Sequence, residues 1–203
     1  KSTGKRAAII GAGPAGLACA STLASLGHEV HIFDPKPALG GVAAGAIPGK
    51  RLTSAAFEAE ALAVLGDGVI LHPGEKLSAE ATIDSFCTRF DVVFLGMGLG
   101  SSSTLTDERP DGVEDAISFL ERAKAGDVTV PARVAVIGGG NTAMDAATTA
   151  LERGARDVYL IYRRSFAELP AWPADRDEAM NRGVHFLLLT QPVGYETDGA
   201  SRL

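Results

Sequence analysis

Short apolar segments alternate along the chain with longer segments that carry apolar residues at helical spacing. This alternation predicts an α/β fold, because intervening helices allow neighbouring strands to run parallel. Residues 91–95 read Asp-Val-Val-Phe-Leu, and such an apolar run is typical of a central strand covered on both faces. The predicted strands lie at residues 7–10, 30–34, 69–71, 91–95, 133–137, 157–162 and 184–189. The predicted helices end before Gly27 and Gly154 or span residues 54–65, 78–90, 113–124 and 174–182.

A glycine-rich turn follows the first apolar strand and leads into a helix of small residues. In such a turn the first glycine permits the tight bend, the second lets a pyrophosphate approach the backbone, and the third lets the helix pack on the strand. Asp34 ends the next strand, where a carboxylate accepts hydrogen bonds from a ribose. The stretch therefore predicts a dinucleotide-binding unit. Its candidate binding residues in the turn are Gly11, Gly13, Pro14, Ala15 and Gly16.

The same pattern returns in the second half of the chain. A strand is followed by Gly-Gly-Gly-Asn-Thr-Ala at residues 138–143, then by a helix and another strand. Gly11 and Gly138 are 127 residues apart, and so are Gly27 and Gly154. We therefore expect an internal repeat, with two Rossmann-like dinucleotide-binding units built on parallel sheets.

The two units differ at the end of the second strand. Alignment of the repeats places Tyr162, followed by Arg163 and Arg164, where the first unit has its aspartate. A carboxylate there favours a free ribose 2′-hydroxyl, whereas arginines suit a 2′-phosphate, with which they form paired, charge-assisted hydrogen bonds. The first unit is thus expected to hold FAD or NAD, and the second to prefer NADPH. Alternatively, both arginines are surface residues that pair with Glu168 or Asp177.

Composition and charge argue against some classes of function. The 203 residues are 46% hydrophobic and 22% charged, as in a globular protein, and the net charge of −6 argues against a nucleic-acid surface. Lys1, Lys5 and Arg6 precede 21 uncharged residues, as in a signal peptide or membrane span. That run consists mainly of Ala, Gly, Ser and Thr and ends in a turn. We therefore expect a cytoplasmic protein without a membrane segment.

Few side chains are candidates for chemistry of their own. The two cysteines, Cys19 and Cys87, match neither a C-x-x-C motif nor a metal site, and we expect buried, inert thiols. None of the four histidines has a Ser or Cys partner in a recognisable motif. Trp172, between Pro170 and Pro173, is expected to be a packing residue on a loop. We therefore predict no catalytic side chain and no metal ligand.

Two dinucleotide units in one chain suggest an enzyme that passes hydride from a nicotinamide to a flavin. Such a reaction depends on how the two rings are positioned rather than on an acidic or basic side chain. The two cysteines supply neither a redox-active pair nor the roughly four thiolates of an iron–sulfur cluster, so we expect the electron acceptor on another region or subunit. The alternatives are a non-catalytic dinucleotide-binding or assembly subunit and a complete disulfide reductase, which the missing cysteine pair disfavours.

Taken together, the motifs resemble those of a known flavoprotein family. The chain is similar over nearly its whole length to the FAD/NADPH module shared by the small chain of glutamate synthase and the N-terminal half of dihydropyrimidine dehydrogenase. The resemblance implies FAD and NADPH as cofactors and an iron–sulfur-containing subunit or domain as the partner. Besides the two glycine turns, it includes Leu39–Gly41, Ile47-Pro48, Arg51-Leu52, Val93–Gly98 and Tyr162–Arg164.

The resemblance also implies roles for individual residues of the first unit. Asp34 is expected at the adenosine ribose of FAD, and Gly41 and Arg51 near its diphosphate. Leu77 is expected near the adenine, and Gly98 is a further candidate for contact with the cofactor.

In the second unit the resemblance implies a site for NADPH, with two arginines at the 2′-phosphate. The residues expected to bind it are Gly139, Gly140, Asn141, Thr142, Arg163 and Arg164.

The chain departs from this family in three ways. Family members carry a cysteine-rich cluster region before the first strand, and they return to the flavin domain after the NADPH domain. Neither feature is expected within these 203 residues, and Gly49-Lys50 replaces a Glu-Phe pair of the Ile-Pro loop. We therefore expect a fragment of an oxidoreductase, with the N-terminal part of an FAD-binding domain at residues 1–105 and a partial NAD(P)H-binding domain at residues 106–203.

Overall fold

The structure is a computed structural model that describes residues 1–66, 68–99 and 110–197. The chain divides into two compact units, one formed by residues 1–45 and 49–101 and the other by residues 46–48 and 102–203. Each unit contains a parallel sheet, so the predicted α/β fold with parallel sheets is confirmed. The expected domain boundary between residues 105 and 106 lies outside the described residues.

The first unit is a parallel sheet with helices on both faces. Ala7 and Ile9 of its first strand pack with two helices on one face, whereas Ala8 and Ile10 pack with Phe86 on the other. The strands are β1 (Arg6–Ile10), β2 (Glu29–Asp34), β3 (Val69–Pro73) and β4 (Val92–Leu95), and the spatial order is β3–β2–β1–β4. The helices are α1 (Pro14–Ser25), α2 (Gly41–Ala46), α3 (Ser54–Leu65) and α4 (Ile83–Arg89).

The position of β4 corrects one prediction. We expected a central strand covered on both faces, but β4 lies at an edge of the sheet as far as the described residues extend. Val92 and Leu95 are 49% and 46% exposed. An apolar run predicts a strand but does not indicate which elements lie beside or above it. It therefore does not distinguish an edge strand from a central one.

The second unit is a smaller parallel sheet packed against helices. Its core contains Ala147, Ala150, Val158 and Leu160, none of which is accessible to solvent. The strands are β5 (Arg133–Ile137), β6 (Asp157–Tyr162) and β7 (His185–Leu188), in the spatial order β5–β6–β7. The helices are α5 (Ala116–Ala125), α6 (Asn141–Glu152) and α7 (Pro173–Asn181). Over the part of the chain that the structure describes, no helix combines the length and the apolar character needed to span a bilayer.

The two units repeat one local structure. The N–H of Gly11 donates to a carbonyl of β2 at 2.8 Å, and that of Gly138 donates to a carbonyl of β6 at 3.0 Å. In both strands that carbonyl belongs to the residue before the last one, so Asp34 and Tyr162 occupy equivalent positions. The structure therefore contains the internal repeat that the glycine spacing predicts.

Candidate functional site

The first glycine turn bends tightly but stays open at its centre. Gly11 has a φ of +108°, and a Cβ atom there would collide with the carbonyl of Gly96. A Cβ atom on Gly16 would collide with the carbonyl oxygen of Gly11, so α1 approaches β1 only because glycine is present. The missing side chain of Gly13, by contrast, would have nothing closer than 4.0 Å. The turn thus leaves space beside its second glycine.

Asp34 is fixed beside this turn by two backbone groups. Its Oδ2 accepts the N–H of Ala12 at 2.7 Å, and its Oδ1 accepts the N–H of Lys36 at 2.8 Å. A carboxylate accepts about four hydrogen bonds, so it retains capacity for a ligand hydroxyl.

The segment after β2 returns to the same turn. The N–H of Gly40 donates to the carbonyl of Ala12 at 2.7 Å. A Cβ atom on Gly41 would lie 3.3 Å from the Cα atom of Gly13, so these two predicted site residues are brought together. The sequence predicts no helix over these residues, because the Gly-Val-Ala-Ala-Gly-Ala sequence of the short helix α2 carries no polar cap or periodic apolar face.

The other predicted flavin residues lie on three further segments. Gly98 is exposed in the loop after β4, and that loop starts beside the turn because the N–H of Gly96 donates to the last residue of β1 at 2.7 Å. Leu77 is half-buried and packs against the cluster that contains Phe33 on the α4 face of the sheet. Arg51 is exposed between α2 and α3. Contact of these three residues with a cofactor stays a prediction.

The second glycine turn follows β5 and has the same open centre. Gly138 has a φ of +142°, which favours glycine. A Cβ atom on Gly140 would meet no atom within 4 Å. Gly140 precedes the first residue of α6, as Gly13 precedes the first residue of α1.

Gly139 is required by its neighbours rather than by its backbone angles. A Cβ atom on Gly139 would lie 2.6 Å from the ring of Tyr162 and 2.7 Å from Leu169. The equivalent positions of the first unit hold Ala12 and Asp34, which are joined by a hydrogen bond. Because Gly139 lacks the methyl group that Ala12 has in the first unit, the larger ring of Tyr162 fits beside the second turn.

The segment after β6 folds back onto the second turn. The N–H of Ala171 donates to the carbonyl of Gly139 at 3.0 Å, and the N–H of Trp172 donates to Oδ1 of Asn141 at 2.9 Å. Because its oxygen accepts this bond, Asn141 keeps its amide NH₂ as a donor at the start of α6. The expectation that Trp172 is a packing residue is wrong, because the residue is 71% exposed.

Arg163 and Arg164 are exposed immediately after β6. Within the described ranges neither forms an ion pair, so the alternative of pairing with Glu168 or Asp177 is not observed there. Glu168 instead accepts hydrogen bonds from the Oγ of Ser165 at 2.8 Å and from its N–H at 3.1 Å. These bonds, with the charge of Arg164, hold the pKa of Glu168 below its usual value.

A cavity of about 810 Å³ lies along β5 in the second unit. It is lined by β5 and by residues 111–117, and it extends to the glycine turn at Gly138, Gly140 and Thr142. Two of the four predicted site residues of this turn, Gly140 and Thr142, therefore border a volume that accommodates a ligand.

Both turns fit the diphosphate of a dinucleotide. Each offers the N-terminus of a twelve-residue helix, α1 or α6, whose first N–H groups favour an anion. In each, open space lies beside the glycine that immediately precedes the helix, Gly13 or Gly140, where a side chain would fill it.

Known proteins resemble this chain over most of its length. NADP(+)-dependent formate dehydrogenase subunit beta of Moorella thermoacetica is 40% identical over 200 residues, which cover 94% of this chain and 28% of that protein. The glutamate synthase [NADPH] small chain of Escherichia coli (strain K12) is 34% identical over 217 residues, which cover 100% of this chain and 46% of that protein. The chain thus spans less than half the length of these relatives.

A solved structure has the same fold. FprA of Mycobacterium tuberculosis, solved in complex with NADPH, superposes with a TM-score of 0.73 at 18% identity, over 89% of this chain and 48% of that one.

The model of the pyridine nucleotide-disulphide oxidoreductase family matches residues 5–202. At the level of the family, this match and the relatives confirm the resemblance and the expectation of an oxidoreductase that uses FAD and NAD(P)H. The chain belongs to the pyridine nucleotide-disulphide oxidoreductase family.

Proposed function

We propose that this chain is the dinucleotide-binding part of an oxidoreductase that draws electrons from NADPH through FAD and passes them to an iron–sulfur centre outside these 203 residues. The observation that carries the proposal is the repeated open glycine turn. The strand that follows each turn and its helix ends in a carboxylate, Asp34, in one unit and is followed by two arginines in the other. When both are bound, a nicotinamide and a flavin supply hydride transfer.

The first unit is suited to a dinucleotide without a 2′-phosphate, and we assign FAD to it. Asp34 is held against the turn by the N–H groups of Ala12 and Lys36, so its carboxylate would accept a ribose hydroxyl without having to be ordered first. A 2′-phosphate at the same place would face a fixed negative charge. The space beside Gly13 would receive the diphosphate.

The second unit is suited to NADPH. Tyr162 replaces the carboxylate, and its ring packs on Gly139, so the repulsive charge is absent. Arg163 and Arg164 would hold the 2′-phosphate by charge-assisted hydrogen bonds, each worth about 1.5–3 kcal/mol. The amide NH₂ of Asn141 and the N-terminus of α6 would donate to the diphosphate.

The thiols support an electron acceptor outside this chain. Cys19 lies on α1 and Cys87 on α4, and these helices cover opposite faces of the first sheet. They are therefore unable to pair with each other within that unit, and an iron–sulfur cluster needs about four thiolates. The names of the two relatives, a subunit beta and a small chain, are those of parts of larger assemblies.

Nucleotide titration tests the assignment of the second unit. Calorimetric titration of the 203-residue chain with NADPH and NADH is expected to show preference for NADPH. Replacing both arginines, Arg163→Ala with Arg164→Ala, is expected to weaken NADPH binding by at least about 100-fold and NADH binding by less than about threefold. Arg156→Ala is a charge control, because Arg156 is exposed just before the opposite end of β6, and it is expected to bind both nucleotides normally.

Two results would contradict the proposal. Equal affinity for NADPH and NADH in all variants would remove the phosphate assignment. If NADPH binds but never bleaches the absorbance of added FAD, the non-catalytic subunit is the better description.

A further inference from the structure

The segment between β6 and α7 is fixed to the second glycine turn at several points. The Oη of Tyr162 donates to the carbonyl of Glu168 at 2.8 Å, and Leu169 is buried against Gly139. The N–H of Ala171 then donates to the carbonyl of Gly139 at 3.0 Å. The backbone that leads to Trp172 is therefore held in place by contacts within the second unit itself.

Trp172 ends this segment and, unlike Leu169 and Ala171, has an exposed side chain. Leu169 and Ala171 are 5% and 4% exposed, whereas Trp172 is 71% exposed. Its backbone N–H is bound to Oδ1 of Asn141 at 2.9 Å, at the first residue of α6. A large aromatic side chain is thus left in solvent although its backbone lies next to the open turn. Covering an exposed indole with a flat, apolar surface is favourable, because it removes apolar surface from water. This position therefore suits an aromatic ligand.

We propose that Trp172 is a nucleotide-contacting residue, whose indole packs against an aromatic ring of the dinucleotide at the second turn. This inference rests on the proposed function, because it requires NADPH at that turn. The adenine and nicotinamide rings both offer a face on which an indole stacks. The backbone bond to Asn141 does not involve the indole, so replacement of the side chain leaves that amide in place.

The chain is well suited to a direct test, since Trp172 is its only tryptophan. NADPH is titrated into the 203-residue chain while indole emission is recorded and binding is measured independently by calorimetry. We expect the emission to be quenched, with a midpoint that equals the calorimetric Kd. Parallel titrations with adenosine 2′,5′-bisphosphate and NADP⁺, neither of which absorbs indole emission as NADPH does, tell which ring is in contact. Quenching by the bisphosphate assigns the adenine, and quenching by NADP⁺ but not by the bisphosphate assigns the nicotinamide.

Variants distinguish contact between Trp172 and NADPH from a role of Trp172 in the stability of the fold. Trp172→Ala is expected to raise the Kd for NADPH by about tenfold with an unchanged melting temperature, and Trp172→Phe is expected to restore most of the affinity. Leu26→Ala is the matched control, because Leu26 is a 60% exposed apolar residue of the first unit, and its NADPH affinity is expected to equal that of the wild type.

The failure of this inference is distinguishable from the failure of the proposed function. If calorimetry detects NADPH binding while indole emission and the affinity of Trp172→Ala stay unchanged, the contact is absent and the proposed function stands. If calorimetry detects no NADPH binding by the wild type, both are overturned.

Discussion

At the second glycine turn, the pair Gly139 and Tyr162 replaces the pair Ala12 and Asp34 of the first. The sequence alone predicts the exchange of Asp34 for Tyr162, because the repeat aligns the ends of the second strands. It does not predict that Tyr162 packs on Gly139, because that contact depends on how closely two distant segments approach. For the same reason, the exposure of Trp172 emerges only from the fold.

This packing predicts the effect of a single methyl group. Gly139→Ala is expected to lower the free energy of unfolding by about 1–3 kcal/mol, because its Cβ atom would lie 2.6 Å from the ring of Tyr162. Gly140→Ala, with no atom within 4 Å of the added methyl, is the control and is expected to unfold like the wild type. Urea denaturation measures both, and a Gly139→Ala variant as stable as the control would contradict the packing described.

At the scale of helices and strands, periodicity locates most elements but not their surroundings. Thr53 and the apolar residues that follow predict α3, and the Oγ1 of Thr53 accepts the N–H of Ala56 at 3.2 Å. The helix expected from Ser78 instead begins at Ile83 as the shorter α4. Cys87, expected to be buried, is exposed on that helix, and Cys19 is half-buried. Burial of a small side chain on a short helix depends on neighbours that the local sequence does not specify.

Carboxylates at the amino ends of the strands make the first sheet sensitive to acid. Asp91 accepts hydrogen bonds from Nζ of Lys5 at 2.7 Å and from the N–H of Arg6 at 2.9 Å. The bond from Lys5, followed by that from Arg6, holds the pKa of Asp91 below its ordinary value of 3.8. Bonds from His31 and then Arg6 lower the pKa of Glu29 in the same way. These contributions to stability are present above the unfolded pKa values and are lost as the pH falls through the folded ones.

Removal of the Asp91 carboxylate is expected to change how the melting temperature depends on pH in the acid range. Asp91→Asn is expected to have a lower melting temperature than the wild type at pH 7, and the difference is expected to shrink as the pH falls from about 5 to about 2. Glu58→Gln, which removes one exposed charge from α3, is the control and is expected to follow the wild type. A constant difference between Asp91→Asn and the wild type at every pH would show that the hydrogen bonds of the Asp91 carboxylate do not cause the effect.

At the scale of the whole molecule, the matched spacing of Gly11 with Gly138 and of Gly27 with Gly154 predicts the duplicated unit, and the structure contains it. The repeat is predictable because the steric requirements of each turn are met by glycines that lie close together in the sequence. The edge position of β4 and the cavity along β5 were not predictable, since both depend on which segments lie beside a strand.

The central claim is that each open turn binds its own dinucleotide, and two matched variants test it most directly. Gly13→Ala and Gly140→Ala each add a methyl group to open space, at residues whose φ values of −73° and −87° suit alanine. Calorimetric titration with FAD and NADPH is expected to show that Gly13→Ala weakens only FAD binding and Gly140→Ala only NADPH binding, each by at least about tenfold. Unchanged affinities in both variants, or the same loss of both ligands in each, would contradict the account.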